Sequence, residues 1–299
     1  AVIDLWQQAD TMGFPSYTML SKQILPPSAG QIQAAFLLRD HLIRLFSDAS
    51  LTPEEALLTA FYFLQELLQE EKSGKKLTTA LIASYFQKEN LQQLLQAIHE
   101  MPCVISDLLY ECNELLQDLA VNYRKEGLYE KFLTPVITQA EYYSQIFGRQ
   151  GIHVGEDMDA TKGENEAGQL WDRWRQFRNA FASYELLLRN FLRNEVFSDL
   201  ILPENFETEP EEADNLEHMV LQMQWIAITY TAIRQSLFLK WSLGADGIPA
   251  EEALDYETVR EYMVVISRMT GYEDEDIRGY LENSFAELIW DWGYFALII

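Results

Sequence analysis

Hydrophobic residues in the C-terminal half of the chain recur at a spacing that predicts two long α-helices. In the first helix they alternate in steps of four and three, at Leu170, Trp174, Phe177, Phe181, Tyr184, Leu188 and Phe191. A straight helix drifts about 20° per heptad from such a rhythm, so a strict repeat keeps one stripe against a long neighbour. The stripe therefore predicts a long helix with a long partner helix beside it.

The second helix has the same rhythm and is the expected partner. Its stripe is Leu216, Val220, Met223, Ala227, Tyr230, Arg234, Leu237 and Trp241. Each helix would be roughly 45 Å long, and the segment 196–211 is too short to run back along the first helix. The sequence therefore predicts an antiparallel helical hairpin in the C-terminal half, packed within the chain. A self-associating coiled coil is the alternative, but its seams favour Leu, Ile and Val, whereas the first stripe is largely aromatic.

Helical patterns also fill the N-terminal half. The run Thr52-Pro53-Glu54-Glu55 combines a capping threonine, a proline suited to the first turn and a glutamate that completes a capping box. Farther along, Cys112 lies in a stripe of leucines, which favours a buried thiol over a reactive one. The predicted fold class is all-α, a multi-helix bundle of about nine to ten helices.

Glycines mark the clearest break in this pattern. Five of the 14 glycines lie within 148–168. We therefore expect an N-terminal helical region over 1–147, a flexible glycine-rich linker over 148–168 and a C-terminal helical region over 169–299. The alternative is one continuous domain.

The chain is strongly acidic, with 47 acidic and 22 basic residues and a net charge of −25. Such a surface repels nucleic-acid phosphates and anionic lipid headgroups, so no nucleic-acid ligand is expected. An uninterrupted apolar run of about 20 residues, which a membrane span needs, is lacking. Two cysteines without a disulfide framework and a start without a signal-peptide pattern favour a cytoplasmic location.

The charges are unevenly distributed along the C-terminal half. An arginine-rich helix precedes an acidic segment, and the candidate partner-binding residues are Arg173, Arg178, Glu207, Glu209, Glu211, Glu212 and Arg234. The acidic segment is either a solvated face or a docking site for a basic segment of a protein partner. Arg234 either extends its guanidinium to water or forms a buried pair with a carboxylate such as Glu185.

The last ten residues, 290–299, are unusually apolar for a chain end. Termini normally fray, so such a segment needs a place to bury its side chains. We expect it to dock back into the core. The alternative is an exposed patch that contacts a partner or a second copy.

No catalytic motif emerges from the spacing of reactive residues. Phosphate-binding loops, nucleophile elbows and complete metal-ligand sets are absent from the sequence, so no catalytic residue, cofactor or metal is assigned. Asp214 and His218 would form only one edge of a metal site. If the chain is an enzyme, an aromatic pocket between helices is the expected site, with Trp171, Trp174, Tyr184 and Tyr230 as candidate walls.

These patterns favour a non-enzymatic protein–protein interaction module, such as an adaptor, chaperone or regulatory subunit, whose acidic surface binds a basic partner segment. The oligomeric state does not follow from the sequence. The alternative function is a helical enzyme or small-molecule-binding protein with the aromatic pocket. A minor alternative, motivated by the net charge of −25, is a nucleic-acid mimic.

Overall fold

The computed structural model describes residues 30–101, 105–150, 166–201, 215–244, 254–270, 274–285 and 291–299. Within these ranges the chain forms α-helices joined by turns, and no β-strand is present. The predicted all-α class is therefore confirmed.

The helices of the described ranges outnumber the nine to ten that were expected, because several are short. In chain order they are α1 (Gly30–Ser47), α2 (Pro53–Lys72), α3 (Thr79–Tyr85), α4 (Lys88–Glu100), α5 (Ile105–Lys125), α6 (Glu130–Gln150), α7 (Glu166–Phe181), α8 (Glu185–Ser198), α9 (Asn215–Gly244), α10 (Tyr256–Met269), α11 (Asp274–Phe285) and α12 (Trp292–Ile298). A single 3-10 turn, Ala182–Tyr184, separates α7 from α8.

The capping box predicted at the start of α2 is present. The Thr52 hydroxyl accepts a hydrogen bond from the Glu55 backbone N–H at 3.1 Å, and the Glu55 carboxylate accepts one from the Thr52 N–H at 2.6 Å. These bonds satisfy two backbone donors that the first helical turn leaves unpaired. They also fix the position of Glu54, which lies in the same turn.

Helix α9 is the centre of the bundle. Of its 30 residues, nearly all from Leu216 to Ser242 are buried. A helix that is apolar on every side belongs in the interior of a large domain. Accordingly, α9 packs most extensively against α2 and also contacts α5, α6, α7, α8 and α10.

The predicted hairpin is not confirmed. Its first helix is interrupted by the 3-10 turn at Ala182–Tyr184, and its second helix, α9, packs more extensively against α2 than against α7 or α8. The stripe residues of both helices are nevertheless core residues, for example Phe177 and Leu237. The heptad rhythm identified buried positions correctly but could not show that α9 has neighbours on all sides.

Helices from both sides of the glycine-rich segment share one hydrophobic core. Leu64 and Leu116 lie in the same buried cluster as Phe177 and Phe238. Helix α6 continues to Gln150 and α7 begins at Glu166, so helical structure extends into both ends of the predicted linker.

The apolar C-terminal segment is docked in the core over residues 291–299, as predicted. Helix α12 packs between α2 and α5, and the side chains of Phe295 and Ile298 are fully buried. Cys112 is also buried and is a free thiol, as predicted. It lies 3.4 Å from the Ile298 carbonyl oxygen.

None of the helices in the described ranges combines the length and the hydropathy needed to cross a membrane.

Candidate functional site

A buried ion cluster lies where the first turn of α2 meets the middle of α9. Arg178 of α7 donates a hydrogen bond to Glu54 Oε1, and Arg234 Nη1 lies 3.6 Å from the same oxygen. The Arg234 side chain is fully buried, and the Glu54 side chain is 12% exposed. The cluster therefore joins residues that are far apart in the sequence, with Arg234 and Glu54 largely buried and Arg178 at the edge.

The Arg234 guanidinium has further partners at the end of α12. It donates to the backbone carbonyl oxygens of Ile298, at 2.6 Å, and Ile299. Its carbon also lies 5.4 Å from the centre of the Trp174 ring, within the range of a cation–π contact. The charge is thus compensated without access to water.

This arrangement corrects both expectations for Arg234. The guanidinium does not reach solvent, and its carboxylate partner is Glu54 rather than Glu185. Glu185 instead accepts a hydrogen bond from Arg189 Nε at 2.9 Å, one helical turn farther along α8. The local pairing on α8 leaves Arg234 to be neutralised from α2.

A small pocket opens beside the ion cluster, with a volume of about 60 Å³. Its apolar walls are Pro53, Phe181, Ala182 and Leu188, and its polar walls are Thr52, Glu54, Arg178, Glu185 and Tyr230. Since a cavity needs roughly 10–15 Å³ to hold one water, the pocket holds a few non-hydrogen atoms. It can take the end of an extended side chain but not a nucleotide.

The 3-10 turn shapes the mouth of this pocket. Ala182 and Ser183 are exposed there, and Tyr184 is anchored by a hydrogen bond of 2.8 Å from its hydroxyl to the Leu254 carbonyl oxygen. Short 3-10 stretches inside longer helices often mark functional positions. Here the turn lies between the wall residue Phe181 and the mouth residue Glu185.

Tyr230 forms the deepest polar part of the pocket. Its side chain is fully buried, and its hydroxyl lies within hydrogen-bonding reach of the Glu54 carboxylate. Burial raises the pKa of Tyr230 well above its usual value, and the nearby Glu54 carboxylate adds to the shift. The hydroxyl is therefore neutral at physiological pH and can both donate and accept.

Glu54 is ionised in spite of its buried position. Burial alone would raise the pKa of its carboxyl group, but the charges of Arg178 and Arg234 outweigh burial and lower the pKa below its usual value. A carboxylate with a lowered pKa attracts a cation but is a weak proton acceptor. Glu54 is therefore suited to binding and orienting a positively charged group.

The predicted partner-binding residues divide into three groups. Arg178 and Arg234 meet at Glu54, whereas Arg173 lies apart and donates to the Ser242 carbonyl oxygen at 3.1 Å. The acidic residues Glu207, Glu209, Glu211 and Glu212 lie outside the described residues. Their role in binding a basic segment remains a prediction.

Of the four predicted aromatic walls, Tyr230 lines the pocket. Trp174 lies behind it, with Arg178 and Arg234 at 6.0 and 5.4 Å from its ring. Tyr184 anchors the 3-10 turn, and Trp171 contacts Arg175 at 5.2 Å. The prediction thus identified the correct aromatic region but only one wall residue.

Glu54, Glu185 and Phe181 were missed as pocket residues. In the sequence Glu54 was visible only as an acidic residue at a helix start, Glu185 only as a possible partner of Arg234, and Phe181 only as a stripe position. Their assembly depends on contacts between distant helices, for which the sequence has no local pattern.

Within the described ranges, no group of three or more His, Cys, Asp or Glu residues is placed to hold a metal ion. His41 stacks on Phe86 with ring centres 4.7 Å apart, and His99 lies 2.5 Å from Glu55. Asp214, the first member of the possible metal-site edge, lies outside the described residues.

These features define an all-helical domain with a small polar pocket between aromatic and apolar walls. The model of the FliB lysine N-methylase C-terminal domain family matches residues 39–298, and the chain belongs to this family. No curated protein and no solved structure matches the chain significantly.

The family match contradicts the main functional prediction. It indicates an enzyme related to methyltransferases, so the interpretation as a non-enzymatic protein–protein interaction module is wrong. The alternative, a helical enzyme or small-molecule-binding protein with an aromatic-lined pocket, agrees better with the family. The prediction failed because it took the absence of familiar catalytic motifs as evidence against an enzyme.

Proposed function

We propose that the chain takes part in the N-methylation of lysine side chains. The observation that carries the proposal is the family match over residues 39–298. The matched range includes every residue that lines the pocket beside Glu54. The pocket is therefore part of the family's domain.

Methyl transfer to lysine requires a neutral amine, since the nitrogen lone pair attacks the methyl carbon. A new N–C bond forms as the bond between that carbon and the leaving group of an activated donor breaks, and the amine proton passes to solvent. Free lysine has a pKa of about 10.4 and is mostly charged at neutral pH. An enzyme must therefore bind the ammonium form, remove its water and favour loss of its proton.

The pocket beside Glu54 supports several of these requirements. Apolar walls at Pro53, Phe181 and Leu188 exclude water, while Glu54 stays ionised and attracts a cation. Partial removal of water lowers the pKa of a bound amine, whereas the Glu54 carboxylate raises it. The site thus attracts the ammonium ion and partly dehydrates it. The released proton passes to solvent at the mouth of the pocket.

The proposal is tested by assaying methyl transfer with the full chain. Proteins extracted from the source organism are incubated with a sulfonium methyl donor, with and without the chain, and lysine methylation is mapped by peptide mass spectrometry. We expect particular lysines to gain one or more methyl groups only when chain and donor are both present. Equal methylation with and without the chain, from an extract that contains unmethylated lysine, would contradict the proposal.

We also infer that the protein partner is the lysine-bearing substrate and that the chain acts in the cytoplasm without a nucleic-acid ligand. The free buried thiol of Cys112 suits a reducing compartment. The net charge of −25 disfavours nucleic acid and attracts lysine-rich segments of proteins.

A further inference from the structure

We infer that the pocket beside Glu54 binds the end of the substrate lysine as its ammonium ion, with Tyr230 as a residue that contacts the amine. The inference rests on the proposed function and adds the place and the manner of substrate binding. Its support is the shape of the pocket, the hydrogen-bonding groups that line it and the exposed residues at its mouth.

The size and walls of the pocket fit a short aliphatic chain. A volume of about 60 Å³ corresponds to a few non-hydrogen atoms, which is the size of the terminal methylenes and nitrogen of lysine. The side chains of Pro53, Phe181 and Leu188 supply apolar walls for these methylenes. Lysine stems pack readily along such surfaces while the charged end seeks polar partners.

The arginines around the pocket are each paired within the protein. Arg234 donates to the carbonyl oxygens of Ile298 and Ile299 and lies against Glu54. Arg189 donates to Glu185 and to the carbonyl oxygens of Phe46 and Asp48. Arg178 is held by Glu54.

The carboxylates keep unused acceptors. The contacts of Glu54 with Arg178 and Arg234 both fall on Oε1, and both hydrogen bonds from Arg189 to Glu185 also fall on Oε1. A carboxylate accepts about four hydrogen bonds in total, so the Oε2 atoms of Glu54 and Glu185 retain capacity. The carboxylates that line the pocket therefore offer unused acceptors, which suit the donors of an ammonium ligand.

Tyr230 supplies a further polar group in the pocket. Its hydroxyl is fully buried, lines the pocket and lies within hydrogen-bonding reach of the Glu54 carboxylate. An ammonium ion between Tyr230 and Glu54 would donate to the hydroxyl oxygen and to the carboxylate, and the tyrosine ring would face the cation.

The first experiment compares two small probes of equal length and opposite charge. Binding of n-butylammonium and of butyrate to the full chain is measured by isothermal titration calorimetry or saturation-transfer NMR. We expect n-butylammonium to bind and butyrate to bind at least tenfold more weakly. Preferential binding of butyrate, or binding of neither probe, would overturn the inference.

The second experiment blocks the mouth of the pocket. Ala182 lines the pocket and is exposed, so Ala182→Leu fills the entrance without placing a larger side chain in the core. We expect this variant to weaken n-butylammonium binding at least tenfold. Ser183→Leu adds a similar side chain at the next exposed position, outside the pocket lining, and should leave binding unchanged. Equal binding by both variants would show that the probe binds elsewhere.

The third experiment removes only the hydroxyl of Tyr230. Tyr230→Phe should weaken n-butylammonium binding by roughly three- to tenfold, the value of one hydrogen bond. The matched control is Tyr143→Phe, since the Tyr143 hydroxyl is also buried but does not line the pocket. Thermal unfolding of both variants checks the fold. Unchanged binding by Tyr230→Phe would exclude Tyr230 as a contact.

The outcomes separate this inference from the proposed function. If the chain methylates lysine and Ala182→Leu does so at the same kcat/KM, the inference fails while the proposed function stands. If n-butylammonium binds as expected but the chain methylates no lysine, the proposed function fails and the pocket loses its assignment to the substrate lysine.

Discussion

Glu54 near the start of α2 and Glu195 near the end of α8 are both largely shielded from water, yet their pKa values move in opposite directions. Glu54 faces Arg178 and Arg234, which outweigh the effect of burial and lower its pKa. Glu195 has the acidic neighbour Asp199 one turn away. Burial and the Asp199 charge together raise the pKa of Glu195 to about 8.

The neighbouring charged groups, rather than burial, decide the charge of each carboxyl group. Burial opposes ionisation at both positions. Glu54 nevertheless stays charged, because two guanidinium groups from other helices converge on it. Glu195 has the acid Asp199 just past the end of its helix and holds its proton at neutral pH. Only the ionised carboxylate is suited to binding a cation.

Removing Arg234 should have the largest effect on stability. Arg234→Met deletes one of the two cations at Glu54 and removes the Arg234 hydrogen bonds to the carbonyl oxygens of Ile298 and Ile299. We expect a loss of about 3–5 kcal/mol in the free energy of unfolding, as found when a buried ion pair loses one member. Urea unfolding monitored by circular dichroism measures it.

Arg175→Met is the control for this prediction. Arg175 is about half exposed and pairs with Asp172 on the same helix. Exposed pairs contribute about 0–1 kcal/mol, so the control should unfold almost like the unaltered chain. Similar losses for both variants would mean that the ion cluster at Glu54 contributes no more than a surface pair.

Replacing Glu195 should stabilise the chain in a pH-dependent way. A folded-state pKa of about 8 means that the folded chain keeps a proton that the unfolded chain loses from about pH 4.5 upward. Glu195 therefore lowers stability progressively between about pH 4.5 and 8. Glu195→Gln removes this effect, and we expect the variant to be about 1–3 kcal/mol more stable than the unaltered chain at pH 8.

The pH series itself provides the control for Glu195→Gln. Below pH 4.5 the Glu195 carboxyl group is protonated in both the folded and the unfolded chain. The difference in unfolding free energy between the variant and the unaltered chain should therefore approach a constant small value. A difference that stays the same from pH 4.5 to 8 would contradict the raised pKa of Glu195. Urea unfolding at four or five pH values is sufficient.

The capping box at α2 should matter for stability and for ligand binding. Thr52→Ala removes the cap and should cost about 1 kcal/mol. Because Thr52 lines the pocket and fixes the turn that contains Glu54, we also expect weaker n-butylammonium binding. Thr78→Ala removes the corresponding cap of α3, which is distant from the pocket lining, and should lower stability alone. Equal binding by the two variants would contradict a link between the cap and the pocket.

The sequence predicted the elements of this fold better than their arrangement. Periodicity identified α9 and the core positions on it, and the Thr52 to Glu55 pattern identified the start of α2. The 3-10 turn at Ala182–Tyr184 was missed because it contains neither glycine nor proline. The heptad stripe runs through it at Tyr184 without a break in spacing.

The candidate site was only partly predictable for a similar reason. Arg234 was conspicuous as the charged member of an apolar stripe, and Tyr230 was named as a possible wall residue. Glu54, the carboxylate partner of Arg234, lies on α2, far from Arg234 in the sequence. The carbonyl oxygens of Ile298 and Ile299 belong to the backbone, so no side-chain pattern marks them. Pairings of this kind follow from the assembled core rather than from local spacing.

The smallest effect is expected from cutting the chain within the predicted linker. Glu54 precedes the glycine-rich segment, and Arg178 and Arg234 follow it, so the ion cluster links the two sides. A protease site inserted between Ala160 and Thr161 allows the chain to be cut after folding. If one continuous domain is formed, both fragments should elute together in size-exclusion chromatography and still bind n-butylammonium. Separation of the fragments without denaturant would instead support two domains. It would also show that the shared core and the Glu54 cluster are too weak to hold them together.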